Sequence, residues 1–260
     1  MADTFDFWAL RFHFRALAAL DFPRGTAANR LRGALGKNLR ILSEDAYQQW
    51  FAPSAAEGPS GLRHRPRPFV LRAAHLEGAS IPAGASFCVG LNVFDSRAMP
   101  DLSQAMGRFA LLDSIETRKV SMPLEGLAVP GGRGSLRVRF LTPTELKGAD
   151  RPEFDVLWAR LRDRISTLRA LYGAGPLKID FPATGGRAAR IRMTQCEIEN
   201  IAAERVSGST GQRHSIGGFS GFAEYEGELG EFLPYLEIGR HTGVGRQTVW
   251  GKGEIGIETF

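Results

Sequence analysis

The chain has 260 residues, 43% apolar and 23% charged, which suffices for one large core or two small ones. Its net charge of +5 favours an anionic partner. No apolar run approaches the roughly 18 residues of a membrane span, and the N-terminus lacks the basic start and apolar core of a signal peptide, so a cytoplasmic protein without a membrane is expected. Only five of the 33 basic residues are lysine. A GC-rich genome accounts for that total, so local arginine clusters carry more meaning than the sum. Cys88 and Cys196 lack metal-ligand spacing and read as core residues of a reducing compartment.

Leu10, Phe12 and Phe14 alternate with Arg11, His13 and Arg15, predicting a strand over 5–20 that is broken at Asp21-Phe-Pro-Arg-Gly25. A helix follows, capped at Thr26 or beside it, with Ala28, Leu31, Leu35, Leu39 and Leu42 on one face. Arg30, Gly33, Lys37 and Arg40 fall on the far side, with Arg24 in the preceding loop. Solvation explains such a basic face as well as binding does. Residues 43–68 read as a loop-rich insertion whose basic end, Arg63-His-Arg-Pro-Arg-Pro68, either tracks an anionic backbone or is simply solvated. Strands are expected over 69–74, 86–94 and 115–122, with a helix over 102–112 that turns Met106, Phe109 and Leu112 inward. The order β-α-β-β-α-β is a ferredoxin-like unit.

The glycine-rich stretch 125–135 is the linker candidate, and the pattern then restarts. Leu136–Leu141 alternates as a strand. Phe154, Leu157, Trp158, Leu161, Ile165, Leu168 and Tyr172 mark an amphipathic helix that Gly173 ends. Strands over 190–201 and 216–225, a helix over 228–238 and a last strand over 254–259 complete a second β-α-β-β-α-β order. The fold class is thus α+β, with two tandem ferredoxin-like (RRM-like) domains over 1–125 and 126–260 and a glycine-rich loop at 239–253.

That loop, Gly239-Arg-His-Thr-Gly-Val-Gly-Arg-Gln-Thr-Val-Trp-Gly-Lys-Gly253, interleaves glycines with basic residues, a composition that lets backbone N–H groups approach an anionic oxygen. It is no P-loop, because five residues separate Gly245 from Gly251 and Gly253 follows Lys252. It is no dinucleotide fingerprint either, because Thr248 stands where the third glycine belongs. Taken alone, it is equally a glycine-rich hairpin with incidental charge.

The loop resembles the one near the C-terminus of the RAMP superfamily of CRISPR proteins, in the version carried by endoribonucleases that process CRISPR precursor RNA. Leu31-Arg-Gly-Ala-Leu-Gly36 resembles the family's first-helix pattern. Phe140-Leu-Thr-Pro-Thr-Glu-Leu-Lys147 and the helix Leu157–Gly173 resemble the segments that open its second half. The resemblance implies two ferredoxin-like halves and cleavage of a CRISPR repeat hairpin without a metal or other cofactor. The ribose 2′-OH would attack the adjacent phosphate, leaving a cyclic phosphate and a 5′-OH, and the enzyme would stay with its crRNA beside other effector subunits.

Many relatives carry a histidine on or near the first helix, and this sequence has none between Arg24 and Arg40. Its arginine-rich first helix looks more like the type IV branch, which implies Arg24 and Arg40 in the cleavage site. An arginine is a poor proton acceptor but stabilises phosphorane charge. His241 is the second candidate for proton transfer, with phosphate binding or a structural hydrogen bond as the plainer reading. Arg30, Lys37, Arg240, Gly243, Gly245, Arg246 and Lys252 are expected to contact RNA. His214, His64 and His75 rank below these. A non-catalytic RAMP subunit that only binds crRNA is the alternative.

Overall fold

The computed structural model describes residues 3–53, 65–125, 134–201, 204–206, 213–215 and 217–260. The first half runs β1 (Thr4–Arg15), β2 (Leu20–Asp21), α1 (Ala27–Leu42), α2 (Glu44–Ala46) with a π-turn at Tyr47–Phe51, β3 (Phe69–Arg72), β4 (Ser80–Ile81), β5 (Ser86–Val93), α3 (Met99–Met106) and β6 (Leu111–Pro123). Its main sheet is antiparallel in the order β3-β5-β1-β6. The second half runs β7 (Gly134–Thr144), α4 (Phe154–Tyr172), α5 (Phe181–Ala188), β8 (Arg192–Ile201), β9 (Glu204–Val206), β10 (Arg213–Ser215), β11 (Gly218–Gly227), α6 (Leu233–Thr242) and β12 (Ile255–Thr259). Its sheet has the order β12-β7-β11-β8. In both sheets the first and third main strands lie centrally, which is the ferredoxin-like arrangement twice over.

β1 explains how the halves join. Its even residues Leu10, Phe12 and Phe14 pack with Leu31, Leu35 and Leu39 of α1 in one core. Its odd residues Phe5 and Phe7 join the other core, built on Trp158, Leu161 and Ile165 of α4 and on α6. Because a strand alternates its faces, Ala9, Arg11, His13 and Arg15 continue the Phe5–Phe7 face. There the second half no longer covers the sheet, and Arg11 and Arg15 are exposed.

Helix ends show what local sequence missed. Thr26 does not cap α1 with its side chain; its hydroxyl donates to Pro23 O. Glu77 reaches across instead and accepts from the N–H groups of Thr26 and Ala27 at 3.1 and 3.2 Å. A carboxylate at a helix N-terminus satisfies orphan donors and meets the positive end of the dipole. Residues 44–51, expected as loop, are helical, because Ser43 caps α2 through Ala46 N–H and Trp50 and Phe51 are buried. α3 ends at Met106, and Phe109 and Leu112 pack on the core from beyond it. α5 and the β9–β10 hairpin were not foreseen. His214 falls in β10, while most of the linker candidate, 126–133, and the insertion 54–64 with His64 lie outside the described residues. Cys88 and Cys196 are free and half-buried, with Cys196 packed against the core of the second half.

The largest correction concerns α6. It starts beside Pro234, which tolerates the first turn because it lacks an N–H, and it runs on through Arg240 and His241 to Thr242. Gly239 is a packing residue inside this helix: a Cβ there would stand 2.8 Å from Leu161 Cδ1 and 3.1 Å from Ile255 Cδ1. The glycine loop therefore begins at Gly243, whose φ of 70° ends the helix.

Candidate nucleic-acid interface

The glycine loop lies across the first turns of α1. Gly251 rests on Ala28, where an added Cβ would be 1.9 Å from the Ala28 Cβ. The other glycines are likewise required by the protein itself. At Gly245 a Cβ would meet Glu145 O at 2.4 Å, and at Gly253 it would meet Val244 O at 1.9 Å.

Lys252, expected on RNA, is buried. Its ammonium donates to Glu145 Oε2 at 3.0 Å, to Gln247 Oε1 at 3.1 Å and to Gly217 O. Burial lowers its pKa, with the Glu145 contact opposing. Burial would raise Glu145, but Lys252 and Arg246 hold it below its ordinary value. Arg246 is exposed yet bonded to the same carboxylate at 2.6 Å. Much of the loop's charge therefore organises the loop.

The three residues expected at the cleavage centre do not converge. Arg24 is exposed just before α1, beside Gly78. Arg40 sits 13 residues past Ala27, the start of α1, roughly 20 Å along the helix at 1.5 Å per residue. There it pairs with Glu44 at 3.0 Å and stacks on Tyr47 at 4.3 Å. Of the expected RNA contacts on this side, Arg30 donates to Asp21 O and Lys37 is exposed.

His241 is on the other side of the first sheet. Its ring lies 4.9 Å from Phe7, on the face opposite α1, and its carbonyl accepts from Asn92 Nδ2 at 2.9 Å. It lines a cleft of about 460 Å³ with Arg11, Arg72, Asn92, Glu116 and Arg118. Burial first, then Arg72, Arg240 and Arg118, pushes its pKa down to about 4, so the imidazole is neutral at pH 7. Arg72 bridges the halves to Glu254 at 3.1 Å, and Arg240 pairs with Glu237 at 2.8 Å. Arg11 and Arg118 make no ion pair among the described residues. Sequence reasoning missed Arg72 and Arg118, since only the sheet register brings them beside β1: Ala9 pairs with Arg118, and Arg11 with Gly90, which pairs with Arg72. Elsewhere, Arg67 turns inward to Phe51 O at 2.7 Å and His75 contacts Cys88 O at 2.9 Å. Among the described residues no helix is long and apolar enough to cross a membrane, and no three His, Cys, Asp or Glu side chains gather as metal ligands.

The chain thus folds as two tandem ferredoxin-like halves, with the late loop of the second laid on the first helix of the first. Residues 138–255 match the family model of the CRISPR-associated endoribonuclease Cas6. The chain's fold is similar to Thermus thermophilus Cas6 (TM-score 0.57, 17% identity, 99% of this chain and 100% of that one). It is also similar to a Cas6 product complex (0.58, 16%, 97% and 99%). A partial Cas6-RT-Cas1–Cas2 complex matches at TM-score 0.62 and 10% identity, over 98% of this chain and 46% of that one. At these identities the likeness is one of fold. No curated protein matches the chain by sequence.

Proposed function

We propose that this protein is a metal-independent endoribonuclease that binds the hairpin of a CRISPR repeat and cuts precursor crRNA by attack of the ribose 2′-OH on the adjacent phosphate. The observation that carries this reading is the Cas6 match over 138–255, which takes in the whole glycine loop, on a chain whose loop rests on α1. Such a site must align the 2′-OH in line, stabilise the phosphorane and protonate the leaving 5′ oxygen. Arg24 stands at the loop end of α1 and is suited to the phosphorane. Arg40 is remote from the loop and already paired, so its part is the smaller. His241 is neutral at pH 7 and acts on a phosphate seated in the cleft. An anion held there by Arg11 and Arg118 would raise its pKa and let it pass a proton. The α1 free of histidine supports placement in the type IV branch. Retention of the cut hairpin would make the protein an effector subunit, with RNA and neighbouring CRISPR proteins as partners and no cofactor.

A second reading, a subunit that binds crRNA without cutting it, is favoured by the separation of Arg24, Arg40 and His241. Incubating the wild-type protein with end-labelled repeat hairpins separates the two. Cutting at one position in the repeat supports the enzyme, whereas tight binding with intact RNA supports the subunit.

A further inference from the structure

The glycine loop and α1 meet through one cation. Arg32, on the second turn of α1, is 6% exposed. Its guanidinium carbon lies 3.4 Å from the ring centroid of Trp250 in the loop and 4.1 Å from that of Phe51 in the π-turn. Phe51 reaches this position because Gly36 has no side chain; a Cβ there would stand 2.5 Å from the Phe51 ring. On the loop side, Gly251 brings the backbone down onto Ala28, next to Trp250. Beyond it Lys252 is tied to Glu145, just past the end of β7. The loop is thus held from both halves of the molecule, by a stack on one side and a partly buried ion pair on the other.

We propose that Arg32 is a positioning residue: the Phe51–Arg32–Trp250 stack fixes the glycine loop at one height over α1, so that the loop and Arg24 meet the RNA backbone in a single geometry. The activity part of this proposal rests on the endoribonuclease reading; the part about loop position does not. Arginine is required because its guanidinium is planar, delocalised and weakly hydrated, and so lies flat between two rings. A lysine ammonium is a compact, strongly hydrated point charge.

The test uses the full chain with Arg32→Lys, Trp250→Phe and Trp250→Ala. Misplacing a reacting group by about an ångström costs about 10²-fold in rate. Arg32→Lys and Trp250→Ala should therefore slow single-turnover cleavage of a repeat hairpin by about that factor with RNA affinity little changed, while Trp250→Phe, which keeps an aromatic ring against Arg32, should lose less. Hydrogen exchange of the loop amides over 243–253 should speed up in Arg32→Lys and Trp250→Ala, and less in Trp250→Phe. A merely structural role would lower binding and cleavage together. Cleavage by Arg32→Lys at the wild-type rate, or unchanged loop exchange in both impaired variants, would overturn the proposal. If Arg32→Lys fails to fold, Trp250→Ala decides from the loop side. If wild type cuts no repeat RNA, the endoribonuclease reading fails while loop exchange still decides the stack.

Discussion

The glycine loop and the cleft of the first sheet are both rich in cations, and they use them in opposite ways. In the loop, Lys252 and Arg246 converge on Glu145, and Lys252 is 4% exposed. In the cleft, Arg11 and Arg118 face the opening and make no ion pair among the described residues. The open face of the second sheet resembles the loop in this respect, since Arg137 and Arg139 are answered by Glu224 and Glu258. A cation already held by a carboxylate shapes the protein, whereas one held by nothing is available to an anionic guest. Counting arginines cannot separate the two cases.

The sharpest break between the regions is kinetic. Removing a group that stabilises transition-state charge costs on the order of 10²–10³-fold. Arg24→Ala should slow single-turnover cleavage by that much with little loss of binding, and Arg40→Ala should change it far less. Equal losses would mean that α1 acts over its whole length and not from its loop end.

Next in size is a stability effect confined to the loop. Lys252→Met should destabilise the fold by about 2 kcal/mol, less than the 3–5 kcal/mol of a fully buried pair because Glu145 is partly exposed and keeps Arg246. Chemical denaturation measures it, and the same variant should leave the salt dependence of RNA binding unchanged. The cleft should behave in the reverse manner. Arg11→Ala with Arg118→Ala should reduce the slope of log affinity against log salt by about two at nearly unchanged stability, since each lost phosphate contact removes about one. An unaltered slope in filter binding would show that the cleft touches no phosphate.

How far the sequence could be read follows the same division between local and distant partners. α4 was legible to its last residue, because Phe154 to Tyr172 repeats its apolar positions over five turns and Gly173 stops it. The two-fold β-α-β-β-α-β order was legible for similar reasons. The start of the glycine loop was not, because Gly239 looks like a loop residue until Leu161 and Ile255 are placed against it. Lys252 looked like a phosphate ligand because Glu145, its partner, is 107 residues away. The separation of His241 from α1 was hidden too, since nothing local says on which face of a sheet a distant helix will end.

A further predicted effect is a pH dependence. The His241 pKa falls from 6.5 to about 4 on folding, through burial and then Arg72, Arg240 and Arg118. The unfolded chain therefore binds the extra proton between these values, and stability is lost as pH falls from about 6.5 to about 4. Glu116 is the carboxylate facing the same cleft. His241→Gln should flatten this part of the stability profile while leaving the loss below about pH 4, which belongs to carboxylates such as Asp3 and Asp95. Denaturation midpoints across pH 4–7 check it.

The most direct measurement is a single-turnover time course on a labelled repeat hairpin in EDTA, with ribose or 2′-deoxyribose at the scissile nucleotide. The ribose substrate should be cut to a 2′,3′-cyclic phosphate and a 5′-OH, and the deoxy substrate should bind but stay whole. Cleavage of the deoxy substrate, or loss of all cleavage in EDTA, would contradict the 2′-OH mechanism.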